Sequence, residues 1–311
     1  MRGVTCDGTS IHLNCDLPEP SARDGETLLR VQIAGICDTD LQLARGYMNY
    51  RGILGHEFVG IDDSGQRFTA EINASCHACP TCLDGRSHHC PNRTVLGILG
   101  RDGAMADWVV VPTRNLHAIP DGVGDREAVF IEPLAAAFRI VEQIPLGSGT
   151  TMAVLGDGKL GLLCAWVARL SGANVTLIGK HPEKLALAGD DIATWRLEDN
   201  RGPDRPFDVV ADCTGNPSGF ATALKLVRPM GTIVLKTTIA GDYTVSLSPI
   251  VIDEITIVGS RCGPFLPAIE ALKNRRIDVR PLIGGEFPLA EAENAFRAAG
   301  KSGSRKVLLT I

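Results

Sequence analysis

Cys76, Cys79, Cys82 and Cys90 lie in the string CHACPTCLDGRSHHC with the spacing C-x2-C-x2-C-x7-C. The two short steps let successive thiolates converge on one point. The longer return, through Asp84 and Gly85, brings the fourth sulfur round to close a tetrahedron. Four soft ligands with no open position are what a structural Zn²⁺ takes. An iron–sulfur cluster also takes four cysteine thiolates, so the spacing alone leaves that alternative standing. Four ordinary buried thiols, or two disulfides, have no reason to keep this rhythm.

A second set lies upstream. Cys37 sits in GICDTDLQ, and His56 and Glu57 sit in ILGHEFVG. Thiolate, imidazole and carboxylate are the mixed ligands of a catalytic zinc, which keeps one position for water or substrate. Taken singly, Cys37 reads as a buried structural cysteine and His56 as a hydrogen-bonded core histidine. They gain meaning from a third signal, the turn Gly156-Asp157-Gly158-Lys159-Leu160-Gly161.

That turn lies within TTMAVLGDGKLGLLCAWVARL, which reads as strand, G-x-G-x-x-G and helix, the context a dinucleotide fingerprint requires. Gly156 makes the tight turn, Gly158 lets the backbone approach a pyrophosphate, and Gly161 lets the helix pack on the strand. The N–H groups of Lys159 and Leu160 at the helix start face the phosphates, where the dipole favours an anion. The following strand, NVTLIG, decides which dinucleotide. An NAD site places Asp or Glu at the strand end for the ribose 2′-hydroxyl. Here Gly179 stands there, followed by Lys180 and His181. With no acid at that position and two candidate cations after it, the reading is NADP(H), with NAD(H) as the alternative. The Cys213-Thr214-Gly215 turn ends a later strand at its carboxyl side, where such ligands bind, so Thr214 joins the candidate cofactor contacts.

The elements that must position these residues fall into two textures. Residues 1 to about 133 read as short strands and loops punctuated by Pro and Gly. ETLLRVQIAGIC is a strand running into the Cys37 turn, Thr39-Asp40 caps a helix over LQLARGY, and EFVGI and ADWVVVP are further strands. From 134 to 260 the pattern alternates: helix EPLAAAFRIVEQI, strand TTMAVLG, helix LGLLCAWVARLSG, strand NVTLIG, helix PEKLALAG, strand FDVVADCTG, helix PSGFATALKLVRPMG, strands TIVLKTT and EITIVGS. Near-continuous β-branched strands between helices mean a parallel sheet covered on both faces. DDIATWRLEDNRGPDRP replaces what is often a full strand and helix, so the sheet reads as trimmed. The tail, 261–311, returns to the first domain with helices PAIEALKNRR and LAEAENAFRAA and a terminal strand RKVLLTI. The fold class is therefore α/β: a β-rich domain plus a doubly wound parallel-sheet domain.

The 311 residues suit two cores. A net charge of −5 leaves no basic footprint for nucleic acid or an anionic membrane surface. No apolar run reaches the roughly 18 residues of a spanning helix, and MRGVTCDGTSIHLNCDLPEP has no signal-peptide core. Cys6, Cys15, Cys164, Cys213 and Cys262 are scattered singly, as in a reducing cytoplasm.

In colinear order, GICDTDL, GHEFVG, the four-cysteine lobe, the EPL segment, GDGKLG and terminal KVLLTI resemble the medium-chain, zinc-dependent alcohol dehydrogenase superfamily over essentially the whole chain. The resemblance implies a GroES-like catalytic domain built from both chain ends, a Rossmann domain between them, two zinc ions per chain, a small alcohol or carbonyl substrate, and a homodimer or homotetramer. It implies that Cys37 and His56 bind the catalytic zinc, with the third-ligand position on Glu132 in FIEPLAAA. Glu there, rather than Cys, is similar to the polyol, sugar and threonine dehydrogenase branch, in which Glu57 ligates or exchanges with water. Thr39 matches the hydroxyl that relays the alcohol proton, and Asp40 the carboxylate that orients His56. Asp38 departs from the small or basic residue of many relatives, and Gln42 from a relay histidine. Two other readings remain: an aldehyde or ketone reductase running toward the alcohol, and a zinc-lobe binding or redox-sensing protein without catalysis.

Overall fold

The computed structural model describes residues 1–199, 206–236, 238 and 244–311. The chain divides into two compact units, Met1–Glu132 with Phe265–Ile311, and Pro133–Pro264.

The first unit is organised around the ten-residue strand Glu26–Gly35. It pairs antiparallel with Glu57–Ile61 on one side and with the terminal strand Lys306–Thr310 on the other; Trp108–Pro112 pairs with its first half. Leu116–Ala118 and Arg67–Ala70 extend one edge, and Ile283–Pro288 the other. Burial alternates along Trp108–Pro112 but runs unbroken through residues 57–60 and 306–309, and Leu29, Phe58, Val59, Phe130 and Leu308 have no exposed surface. Each such side chain contributes about 1.5–3 kcal/mol relative to exposure. The register sets Gly35 opposite both Glu57 and Leu308. The functional strand ends therefore converge where the central strand runs into Cys37.

The helix after Cys37 spans Asp38–Leu43, one turn earlier than the Thr39-Asp40 cap predicts. Cys37 itself is the N-cap, and Asp40 at the third helical position accepts the Cys37 N–H at 2.8 Å. Thr39 and Asp40 lie inside the helix, because the capping role falls to the residue whose backbone is still extended.

The second unit is a six-stranded, all-parallel sheet. In spatial order its strands are Ala193–Arg196, Asn174–Gly179, Thr151–Leu155, Phe207–Asp212, Val227–Leu235 and Thr256–Gly259. Ala153, Leu155, Ile178, Val210, Phe220 and Ile233 form its core, with helices Lys159–Leu170 and Ser218–Leu226 packed against the strands. Three expectations change here. Ala193–Arg196 forms an edge strand, so that part of the stretch read as trimmed keeps its strand; residues 200–205 and Thr237 of TIVLKTT lie outside the described residues. The PEKLALAG helix is only Pro182–Leu185, passing into a 3₁₀ turn. The PSGFATALKLVRPMG helix stops at Leu226, and Val227 begins a strand. Pro229 explains the stop: it lacks an N–H and disfavours helical geometry at Arg228. Among the described residues, no helix is long and apolar enough to cross a membrane.

Candidate active site

In the four-cysteine lobe, Cys79 caps the short helix Pro80–Leu83, and Ser75 Oγ donates to the Ser87 carbonyl at 2.6 Å, tying the two arms of the loop together. The sulfurs of Cys76–Cys82, Cys79–Cys82, Cys79–Cys90 and Cys90–Cys76 are 4.0, 3.5, 3.8 and 3.5 Å apart. A tetrahedron with zinc–sulfur arms of about 2.3 Å has edges of about 3.8 Å. The four thiols therefore match the span of one zinc and are too far apart for disulfides. Backbone N–H groups of Ala78 and Cys79 hold the Cys76 thiol down at about 6, as a ligand thiolate requires.

The second set also assembles. One ligand atom each from Cys37, His56 and Glu57 lie within 4.8 Å of one another. His56 and Glu57 are buried, while Cys37 is partly open. His56 turns Nδ1 toward Asp40 Oδ1 at 3.4 Å, which leaves Nε2 as the nitrogen for a metal. Asp40 is fully buried and divides its carboxylate between the Cys37 N–H and this imidazole. Burial works against a charge on His56, but Asp40 and the Cys37 thiol outweigh it and raise its pKa well above the ordinary value.

Glu57 bridges two environments. Its Oε2 accepts from Lys306 Nζ, also buried, which reaches the Ile36 carbonyl at 3.4 Å and lies 5.8 Å from the centre of the Phe130 ring. Its Oε1 is buried and makes no hydrogen bond. A carboxylate oxygen left bare beside a thiol and an imidazole fits a cation: desolvated and unmatched, it would otherwise cost about 1–3 kcal/mol or more. Glu132 is on the first turn of the Ile131–Gln143 helix, 9% exposed, and is not part of the close three-ligand group. Thr39 is half-buried on the capped helix, and Asp38 faces solvent.

The nucleotide turn keeps its predicted geometry. Gly156 has φ +107°, and a side chain on it would strike the Cys213 carbonyl at 2.7 Å. A side chain at Gly161 would strike the Gly156 carbonyl at 1.8 Å. Gly158 faces open space, the room a pyrophosphate needs against backbone. Lys159 and Leu160 open the helix. Thr214 donates its hydroxyl to Asp212 at 2.7 Å, which fixes the turn after Phe207–Asp212. Gly179 ends its strand as expected, with Lys180 exposed and His181 half-buried beyond it.

Two features escaped the sequence. Lys306 falls in the terminal strand RKVLLTI, and nothing local marks it as a partner for a residue so distant. Cys164 and Cys213, read as scattered singly, touch through their thiols. Their strand–helix contact is visible only once Gly161 seats the helix on the turn.

Comparison with known proteins adds independent findings. Residues 23–121 match the alcohol dehydrogenase GroES-like domain, and residues 160–274 match the zinc-binding dehydrogenase domain. The chain is 30% identical to L-threonine 3-dehydrogenase of Streptomyces coelicolor, covering 94% of each chain. It is 28% identical to sorbitol dehydrogenase of Halalkalibacterium halodurans, covering 98% of this chain and 97% of that one. Among solved structures it resembles an Escherichia coli CFT073 alcohol dehydrogenase complexed with NADH, at a TM-score of 0.90 and 26% identity over 100% of this chain and 99% of the other. A zinc-binding dehydrogenase of Sinorhizobium meliloti 1021 bound to NADP gives a TM-score of 0.87 and 29% identity with the same coverage.

Proposed function

The chain belongs to the zinc-binding alcohol dehydrogenase family, and on that premise we propose that it oxidises a polyol or another secondary alcohol with a polar neighbour, using NADP⁺. The observation that carries this reading is the convergence of Cys37, His56 and Glu57, with Glu57 Oε1 buried and unmatched. Cys37, His56 and either Glu57 or Glu132 would hold the catalytic zinc; Cys76, Cys79, Cys82 and Cys90 would hold the structural one. Zinc supplies Lewis acidity, which lowers the pKa of a substrate hydroxyl.

The chain's own residues do the rest. Asp40 fixes the ring of His56, and Lys306 holds one oxygen of Glu57. The Thr39 hydroxyl takes the substrate proton. Gln42, one turn on, cannot carry a proton at neutral pH, so the relay ends at solvent or at a ribose hydroxyl. Gly156, Gly158, Lys159, Leu160 and Gly161 cradle the pyrophosphate, Gly179, Lys180 and His181 face the adenosine ribose, and Thr214 lies at the end of a neighbouring strand. A carboxylate beside the metal, from Glu57 or from Glu132, would give a second substrate hydroxyl an acceptor. Relatives named for sorbitol and for L-threonine act on carbinols with a polar neighbour, which supports the same class.

We place the protein in the cytoplasm, a reading supported by ten free cysteines. Its assembly is a homodimer or homotetramer. The edge strand Thr256–Gly259 is largely open, and the same unit exposes Met230, Leu247, Val251 and Ile252 at 65–76%. The test of the substrate class is Glu132→Cys, assayed on a vicinal diol and on a simple secondary alcohol. Turnover on the diol should fall more than on the monoalcohol; equal losses would leave only a generic dehydrogenase.

A further inference from the structure

The second residue of the Gly-rich turn is an acid, Asp157, and its carboxylate lies where a strand-end side chain would. Its Oδ2 accepts the backbone N–H groups of Lys180 and His181 at 2.6 and 2.7 Å. Its Oδ1 is 3.0 Å from His181 Nδ1, and Lys184 Nζ is 3.9 Å away. A Cβ at Gly179 would stand 2.3 Å from Asp157 Oδ2. Gly179 is therefore required by Asp157, and an acid at 179 has no room while Asp157 keeps its place.

The carboxylate is also occupied. Its side chain is 9% exposed, and its acceptor positions are taken by two backbone N–H groups and a ring nitrogen. Burial pushes its pKa up, but the N–H groups of His181 and Lys180 and the imidazole outweigh burial and hold it below the usual carboxylate range. A ribose hydroxyl would have to displace one of those donors. His181, by contrast, is oriented. With Nδ1 donating to Asp157, Nε2 is left for another partner, and the ring is about a third exposed (34%) beside the exposed Lys180. A carboxylate behind an imidazole fixes the orientation of the ring, with Nε2 turned away from the acid.

We propose that Asp157 is the positioning residue of a 2′-phosphate site: it aims His181 Nε2 at the 2′-phosphate of NADP(H), and by filling the space over Gly179 it excludes the strand-end acid that would select NAD(H). This rests on the NADP⁺ reading above. Gly179→Asp alone therefore collides with Asp157 and does not convert the cofactor preference.

The test is calorimetric titration of the full chain with adenosine 2′,5′-bisphosphate and adenosine 5′-monophosphate, which isolates the 2′-phosphate without turnover. The unmodified protein should bind the bisphosphate tighter by about tenfold or more, the scale of a hydrogen bond to a charged group. His181→Ala and Asp157→Asn should each remove most of that ratio. Adding Asp157→Asn to His181→Ala should change the ratio no further. The exchange Asp157→Gly with Gly179→Asp should favour the monophosphate and fold better than Gly179→Asp alone. Equal binding of both fragments by the unmodified protein would overturn the NADP⁺ reading itself. Discrimination that survives Asp157→Asn, or that falls further when Asp157→Asn is added to His181→Ala, would overturn the role of Asp157 and leave that reading intact. An equal loss of both fragments in Asp157→Asn would do the same, since it would mark Asp157 as a support of the turn alone.

Discussion

Glu57 and Lys306 stand 249 residues apart in the chain and form a buried ion pair over Gly35. The central strand makes this possible: Gly35 is paired with Glu57 on one side and with Leu308 on the other. A Cβ on Gly35 would lie 2.6 Å from Glu57 Oε2, 2.7 Å from Val129 Cγ1 and 3.3 Å from Lys306 Cδ. The missing side chain is the space in which carboxylate and ammonium meet. Burial favours the neutral amine of Lys306, but the charges of Glu57 and Cys37 outweigh it and raise its pKa.

Removing one partner of such a pair strands a charge in the core. Lys306→Met should destabilise the protein by about 3–5 kcal/mol, and Lys306→Met with Glu57→Gln should recover much of the loss. Urea denaturation of the two single variants and the double variant measures the coupling. Additive losses would mean that the pair is not energetically linked.

Gly35→Ala tests the same contact from the backbone side. The new methyl forces Glu57, Val129 or Lys306 to move, at about 1–3 kcal/mol. A denaturation midpoint equal to that of the unmodified protein would show that the space is not needed.

The four-cysteine lobe should support the fold, not the reaction. Cys82→Ser should release one of two zinc ions per chain, as measured by elemental analysis, and lower the melting temperature, because metal binding at a closed site is folding energy. The folded fraction should still turn over. Loss of all turnover in well-folded, half-loaded protein would reassign the lobe to catalysis.

An acid-sensitive contact in the second unit provides a pH test. Burial raises the Asp208 pKa, but hydrogen bonds from Thr151 and the Arg228 guanidinium outweigh it and lower it to about 2. A depressed carboxylate stabilises the fold above its unfolded pKa of about 4 and loses that contribution as pH falls through about 2. Asp208→Asn should therefore lower stability at neutral pH and flatten the acid limb over that window. An unchanged acid limb, followed by circular dichroism, would remove Asp208 from the account.

What was legible in the sequence follows from the range of each interaction. The four-cysteine spacing, the Gly-rich turn and strands such as Glu57–Ile61 are local patterns, and each carries its geometry within a few residues. The helix after Cys37 was legible, but its cap was not, because Asp40 serves the third helical position instead of the cap. Lys306 was out of reach because its partner lies across a sheet register that no local pattern encodes. The role of Asp157 is hidden from the sequence for a related reason. The absence of an acid at Gly179 was visible, but a carboxylate reaching the same space from the preceding turn became apparent only with strand and turn side by side.

The central claim is a zinc-dependent transfer of hydride from a polar secondary alcohol to NADP⁺. Its most direct test is NADPH formation from a vicinal diol by the zinc-loaded protein, repeated after chelation and after zinc is restored. Rapid formation that chelation abolishes and zinc restores, and that is slower with NAD⁺, is the predicted result. No reduction of either nucleotide by any diol, polyol or secondary alcohol in zinc-replete, folded protein would contradict the claim.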